Sequence, residues 1–197
     1  MDPHRQFFSR WARFYERTPL LARLLREQQD FALERLTALP GERVLDLGCG
    51  PGRAVCLLRG RGVIAVGADA QREMLTREFT SAQALAGALP FRTGAFNGVI
   101  CSNSFHHYPE PLATLREVRR VLAPGARAVF VDPNLEHPLA RLTIYGGEAL
   151  AFGMAVHLHS PHEWIALGES AGFARVQVEP IGRFPFGSVS LLIELKA

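Results

Sequence analysis

The chain has 197 residues, of which 48% are hydrophobic, 21% charged and 9% aromatic. These proportions are typical of a soluble globular domain and exclude a disordered tail or a collagen-like fibre. The net charge is only +3, and the basic residues are scattered among acidic ones, so we expect no nucleic-acid partner. The three cysteines form no C-x-x-C pair, which favours reduced thiols and a cytoplasmic location. The longest apolar stretch, residues 142–158, is interrupted by Glu148 and glycines, and no membrane span is predicted.

Two helices are predicted ahead of the first strand, over residues 7–15 and 20–36, because apolar residues recur there at helical spacing. From residue 44 onward, short apolar strands alternate with helices. We predict strands at 44–47, 63–68, 83–86, 98–102 and 126–132, and helices at 53–58, 71–79 and 112–122. This alternation predicts an α/β fold with a mostly parallel sheet covered on both faces.

The C-terminal part of the chain begins with a helix-start signal. Ser160, Pro161 and Glu163 match a capping box with proline at the first helical position, so a helix is predicted from 161 to 171, ending at Gly172. Two further strands, at 175–179 and 189–195, flank a loop rich in glycine and proline and are predicted to form a hairpin.

A glycine loop follows the first predicted strand in the run VLDLGCGPGR, residues 44–53. Such a loop lets the backbone approach a ligand closely at the start of a helix. A dinucleotide site would need GxGxxG, but Arg53 occupies the last glycine position. Asp46 would repel a pyrophosphate and attract an amino group.

A second carboxylate supports a different ligand. Asp69 ends the second predicted strand, 21 residues after Gly48, which is the spacing at which an acid reaches ribose hydroxyls in such a sheet. An ammonium partner for Asp46 and a ribose for Asp69 describe a nucleoside with an amino-acid tail. S-adenosylmethionine has that shape. The alternative interpretation is a strand-turn-helix whose glycines serve only the turn.

These motifs resemble the class I S-adenosylmethionine-dependent methyltransferases, within them the small group related to ubiquinone-biosynthesis C-methyltransferases. The resemblance extends from about residue 15 to the C-terminus. Besides the glycine loop, it rests on VGAD at 66–69 followed by Met74, ALPF at 88–91, FNGVICSNSFHHYPEP at 96–111 and LREVRRVLAPGA at 115–126.

The resemblance implies a Rossmann-like, doubly wound, seven-stranded and mostly parallel sheet with an antiparallel last strand and an N-terminal helical cover. It also implies S-adenosylmethionine as cofactor and S-adenosylhomocysteine as product. Asp46, Gly48 and Gly50 would hold the methionine moiety, Asp69 the ribose and Met74 the adenine face. The full set of predicted cofactor contacts is Asp46, Gly48, Cys49, Gly50, Asp69, Ala70, Met74, Ala86, Ser102 and Asn103.

Two positions depart from the family pattern. Leu85 and Ala86 stand where an acid commonly accepts a hydrogen bond from the adenine amino group, so adenine would be held by backbone amides and apolar contact. The fourth strand usually begins Phe-Asp, and here it begins Phe96-Asn97.

The candidate catalytic residues follow the fourth strand, at the sheet edge where open α/β folds bind ligands. They are His106 and His107, of which at most one is expected to face the acceptor; capping or surface histidines are the competing interpretation. Asp132 ends the fifth strand at the same edge and would line the acceptor pocket or cap a turn. Trp11 and Tyr15, on the first helix, would form a lid or simply pack on the domain.

No metal site is predicted. His157, His159 and His162 are close in sequence, but the capping box accounts for the segment around Ser160 without a metal.

The chain is therefore predicted to be one methyltransferase domain, 1–197, with N-terminal helices at 1–40, a cofactor-binding half at 41–134, and an acceptor-pocket insertion with the C-terminal strands at 135–197. The leading hypothesis is methyl transfer to an unidentified small molecule, because few residues remain for recognising a macromolecule. The oligomeric state is not predicted. The alternatives are a non-catalytic S-adenosylmethionine-binding protein and a nicotinamide-dependent oxidoreductase.

Overall fold

The protein is described here by a computed structural model covering residues 19–75, 78–150, 155–181 and 190–197. The predicted first helix, with Trp11 and Tyr15, lies outside these residues. The helices are α1 (Pro19–Leu36), α2 (Arg53–Gly60), α3 (Pro111–Val121), α4 (Pro138–Arg141) and α5 (Pro161–Ser170), with 3₁₀ turns at Arg72–Met74 and Phe105–His107. A π-helical segment, Leu142–Leu150, directly continues α4.

Seven strands form one sheet in the order β3-β2-β1-β4-β5-β7-β6. Their bounds are β1 (Arg43–Leu47), β2 (Ile64–Asp69), β3 (Ser81–Gln83), β4 (Phe96–Ser102), β5 (Leu122–Pro133), β6 (Arg175–Ile181) and β7 (Ser190–Lys196). The first five are parallel, and β7 runs antiparallel to both β5 and β6. The predicted doubly wound sheet with an antiparallel last strand is confirmed.

Both faces of the sheet are buried, because successive side chains of a strand point to opposite faces. On β1, Val44 belongs to the core beneath α1 and α2, whereas Leu45 belongs to the core beneath α3 and α5. On β5, Val129 belongs to the core beneath α1 and α2, and Phe130 belongs to the core beneath α3 and α5. The two helical layers leave the carboxyl edge of the parallel strands as the place where a ligand can bind.

The predicted helix at 71–79 is wrong over the described residues. Only Arg72–Met74 forms a helical turn, and Leu75 is already extended with ψ of 130°. The Phe79 ring occupies the space that a Cβ on Gly52 or Gly67 would need. Burial of Phe79 (7% exposed) against these glycines overrides the local helical spacing. The following strand also lies earlier than predicted, at Ser81–Gln83.

The capping box before α5 is confirmed. The Ser160 N–H donates to Glu163 Oε2 at 2.7 Å, and the Glu163 N–H donates to Ser160 Oγ at 3.3 Å. Two otherwise unsatisfied donors of the first turn are thereby used. Within the described ranges, none of the helices combines the length and the apolar composition required to cross a bilayer.

Candidate cofactor-binding site

A cavity of about 520 Å³ opens at the carboxyl edge of β1, β2 and β4. It is lined by the glycine loop, by the segments that follow β2 and β3, and by the loop between β4 and α3. The lining residues are Leu47, Gly48, Gly50, Ala68, Asp69, Ala70, Gln71, Met74, Ala84, Leu85, Ala86, Gly87, Ala88, Asn103, Ser104, His107, Tyr108, Pro109, Glu110 and Thr114.

The glycine loop brings backbone against this cavity. Gly48 has φ of +70°, and a Cβ there would lie 2.1 Å from Ser104 Oγ and 2.7 Å from the Tyr108 hydroxyl. The Ser104 and Tyr108 hydroxyls are themselves 2.9 Å apart. Gly48 is therefore required both for its left-handed backbone and for the close approach of the loop after β4.

Asp69 ends β2 and is held rigidly at the cavity wall. Its Oδ2 accepts from the Gly50 N–H at 3.0 Å, and its Oδ1 accepts from the Gln71 N–H at 2.8 Å. Burial raises the pKa of Asp69, and these two backbone hydrogen bonds partly oppose the rise. Each carboxylate oxygen can accept more than one hydrogen bond, so both retain capacity for neighbouring hydroxyl groups.

Asp46 lies on β1, two residues before Gly48, and its side chain is buried, with only 1% exposure. Its Oδ2 is buried and has no hydrogen-bond partner among the described residues. Burial, and then the nearby charge of Asp69, raise the pKa of Asp46 to about 7. An unsatisfied buried carboxylate is costly, and a cationic ligand group would remove that cost.

The end of β4 supplies a second unusual backbone position. Asn103 has φ of +52°, an uncommon conformation that asparagine tolerates better than most residues. Its N–H donates to the Val131 carbonyl at 2.7 Å, and the residue lines the cavity. The neighbouring Ser102 hydroxyl is buried without a partner within the described part of the chain. Strained backbone of this kind is concentrated at functional sites.

The far wall of the cavity is apolar. Met74, Leu85 and Ala86 line it, and Leu85 is 69% exposed at its mouth. Asn97, the other departure from the family pattern, lies at the opposite end of β4, where its Oδ1 accepts from the Arg43 N–H at 2.9 Å. Asn97 thus joins β1 to β4 and is not among the residues that line the cavity.

The two adjacent histidines are placed differently. His107 lines the cavity, whereas His106 is 2% exposed and lies behind the wall. His106 Nδ1 is 2.8 Å from Asp132 Oδ1, and Asp132 is completely buried. Burial by itself lowers the pKa of His106, but the carboxylates of Asp132 and Glu148 outweigh it and raise the pKa to about 10. Asp132, predicted as a pocket residue, does not line the cavity.

Cys49 is buried beside Gly67, and burial raises the pKa of its thiol. Neither Cys49, which lies within the glycine loop, nor Asp46, which lies on β1, is among the lining residues. Gln71, Ser104 and Tyr108 line the cavity but were not predicted from the sequence. The available signal was their position in the sequence, because Ser104 and Tyr108 lie within the motif at 96–111 and Gln71 closely follows VGAD.

Comparison with known proteins identifies the family and the fold. A family model described as a methyltransferase domain matches residues 6–178. A crystal structure of an S-adenosylmethionine-dependent methyltransferase from Thermotoga maritima superposes with a TM-score of 0.78 at 21% identity, covering 98% of each chain. At this identity the likeness shows the fold alone.

Sequence relatives point to the same family. A Synechocystis protein named as an uncharacterized methyltransferase is 40% identical over 108 residues, covering 51% of each chain. A 2-phytyl-1,4-naphtoquinone methyltransferase from Synechococcus elongatus is 32% identical over 142 residues, covering 59% of this chain and 61% of the relative. The chain spans about half the length of the first curated relatives it matches. Because the family model matches most of the chain, this protein belongs to the methyltransferase domain family.

Proposed function

We propose that this protein transfers a methyl group from S-adenosylmethionine to a small-molecule acceptor. The observation that carries the proposal is the buried Asp46 Oδ2, which has no hydrogen-bond partner among the described residues and belongs to β1, two residues before Gly48. An ammonium group on the ligand would satisfy it. S-adenosylmethionine combines that group with a ribose suited to Asp69, and membership of the methyltransferase domain family supports the same ligand.

We assign the cofactor contacts as follows. Asp46 attracts the ammonium group, and the backbone of Gly48 and Gly50 allows the methionine moiety to approach closely. Asp69, already oriented by two backbone N–H groups, accepts from the ribose hydroxyls. Met74 and Ala86 contact the adenine ring on the apolar wall.

S-adenosylmethionine would supply a methyl group on a positively charged sulfur, which a lone pair of the acceptor atom would displace, leaving the C–S electron pair on sulfur. The contribution of this chain is to align the two partners and exclude water. Asn103 and His107 line the cavity beside the glycine loop, and we place the acceptor next to them. His106 lies behind the wall, bonded to Asp132, and so acts as a positioning residue rather than a catalytic one.

The size of the cavity supports a small acceptor. Ligand sites for small molecules have volumes of roughly 300–1,000 Å³, and the cavity of about 520 Å³ has to hold the nucleoside and the acceptor together. A partly exposed mouth at Leu85 and Glu110 is compatible with entry of a small molecule from solvent.

Calorimetric titration with S-adenosylmethionine and S-adenosylhomocysteine tests the cofactor, and release of S-adenosylhomocysteine across a panel of phenols, amines, quinols and carboxylates tests transfer. We expect saturable binding and turnover with at least one acceptor class. Asp46→Asn should bind the cofactor at least tenfold more weakly, and Asn97→Asp, altered at the opposite end of β4, should bind like the wild type. Absence of binding at millimolar cofactor would contradict the proposal.

A non-catalytic S-adenosylmethionine-binding protein is the second candidate. The observation that favours it is the apolar Leu85 and Ala86 in place of an adenine-binding acid. Tight cofactor binding without turnover on any acceptor would support it. A nicotinamide-dependent oxidoreductase is disfavoured, because Arg53 replaces the required glycine and instead forms an ion pair with Asp30 at 2.7 Å.

A further inference from the structure

Three side chains that could bind a metal ion converge beside the cofactor cavity. His106 and His107 come from the 3₁₀ turn after β4, and Glu148 comes from the π-helical segment Leu142–Leu150. One ligand atom from each lies within 4.8 Å of the other two. We refer to these three residues as the His-His-Glu cluster.

The distances within the cluster are those of metal ligands rather than of strong hydrogen bonds. His106 Nε2 and His107 Nε2 lie 3.4 Å and 3.5 Å from the same oxygen, Glu148 Oε2. An N–H···O hydrogen bond is usually about 2.7–3.2 Å long. Two ligand atoms bound at about 2.1 Å to one tetrahedral ion are roughly 3.4 Å apart, which matches both separations.

The buried polar atoms of the cluster face one another without well-aligned hydrogen bonds. His106 is 2% exposed and Glu148 is 5% exposed. His106 Nε2 and Glu148 Oε2 form no well-aligned hydrogen bond, although at 3.4 Å they form an ion pair when the histidine is protonated. Buried atoms of this kind are normally satisfied, and a shared cation would satisfy both.

Asp132 orients the first of these histidines. Its Oδ1 lies 2.8 Å from His106 Nδ1, the ring nitrogen that does not face Glu148. A metal ion at Nε2 would displace the proton from that nitrogen, while Nδ1–H keeps its carboxylate acceptor. Carboxylate-histidine-metal arrangements of this kind are a regular feature of protein metal sites.

We propose that His106, His107 and Glu148 bind a zinc ion. Two imidazoles and one carboxylate suit Zn²⁺, and three protein ligands leave the fourth tetrahedral position open. Because His107 also lines the cofactor cavity, the ion borders that cavity. Bound zinc connects the turn after β4 to the helical segment 138–150. His107 also lies beside the position proposed for the acceptor, but zinc binding can be measured without methyl transfer.

The test uses tag-free protein dialysed against a chelator and then titrated with Zn²⁺ alone in a calorimeter. We expect one ion per chain, an increase in thermal stability on binding, and visible absorption typical of tetrahedral cobalt when Co²⁺ replaces Zn²⁺. Glu148→Gln should lower zinc affinity at least 100-fold. Asp132→Asn, which leaves all three ligands in place, should lower it about 10–100-fold.

His162→Gln is the matched control, because His162 is exposed and outside the cluster; its zinc affinity should equal that of the wild type. Titration of every variant with S-adenosylhomocysteine reports folding and cofactor binding separately from zinc binding. Absence of stoichiometric zinc binding by the wild type would overturn the proposal. Equal zinc affinity in the wild type and in a folded Glu148→Gln variant would overturn it as well.

Discussion

Two buried carboxylates at the same edge of the sheet differ in what surrounds them. Asp132, on β5, is completely buried and lies 2.8 Å from His106 Nδ1. Asp46, on β1, is 1% exposed, and its Oδ2 has no partner among the described residues. Asp132 Oδ2 also has no partner among the described residues, so what distinguishes the two carboxylates is the histidine that Asp132 contacts through its Oδ1. This difference separates a positioning carboxylate from a binding one.

The largest expected effect comes from breaking the internal pair. Asp132→Ala removes the partner of a buried histidine and leaves its Nδ1 unsatisfied, so we expect the free energy of unfolding to fall by about 3–5 kcal/mol. Urea unfolding in the presence of a chelator measures this. A loss below about 1 kcal/mol would show that the two residues are not coupled in the folded protein.

Asp46→Asn should have the opposite effect on stability. The folded pKa of Asp46 is about 7, against a reference value of 3.8, so the folded state binds more protons than the unfolded state between those values. Wild-type stability from this group is present below about pH 4 and is lost as the pH rises through about 7. At pH 8 the ligand-free Asn variant should be more stable than the wild type by roughly 2 kcal/mol.

The measurement is urea unfolding of both proteins at pH 5 and pH 8. The stability difference between variant and wild type should grow with pH, and the gain should be accompanied by loss of cofactor affinity. A variant that is less stable than the wild type at pH 8 would contradict the assignment of Asp46 as an unpaired buried carboxylate.

Asp69→Ala tests the ribose assignment at the neighbouring strand. We expect cofactor binding to weaken by about 1–3 kcal/mol, because ribose hydroxyls and two backbone N–H groups lose their acceptor. Titration with S-adenosylhomocysteine measures this affinity. If affinity were unchanged while the protein remained folded, the ribose would have to be bound elsewhere.

The smallest effect is expected for Asn97→Asp. Its Oδ1 accepts from the Arg43 N–H, and a carboxylate oxygen can accept the same hydrogen bond. We expect changes below about 0.5 kcal/mol in stability and cofactor affinity, as for surface substitutions generally. A larger fall in affinity would mean that the start of β4 influences the cavity.

The glycine loop and the two carboxylates assigned to the cofactor could be predicted because each belongs to a short stretch of sequence. The strand that carries Asp46 and the three glycines after it lie within ten consecutive residues. Asp69 follows at a spacing fixed by one strand-helix-strand unit. The capping box at Ser160 is equally local. The helix expected at 71–79 was wrong because Phe79 packs into the space beside Gly52, a contact between distant segments.

The sequence by itself predicted the family, the order of the strands along the chain and the motifs that border the cofactor cavity, but not the helical segment 138–150. These follow from short-range periodicity and from motifs whose spacing is set by regular backbone geometry. Only the tertiary structure separated His107 from His106, paired His106 with Asp132, and brought Glu148 to both histidines. Those contacts join β4, β5 and the helical segment after β5, and which side chains meet there is decided by packing.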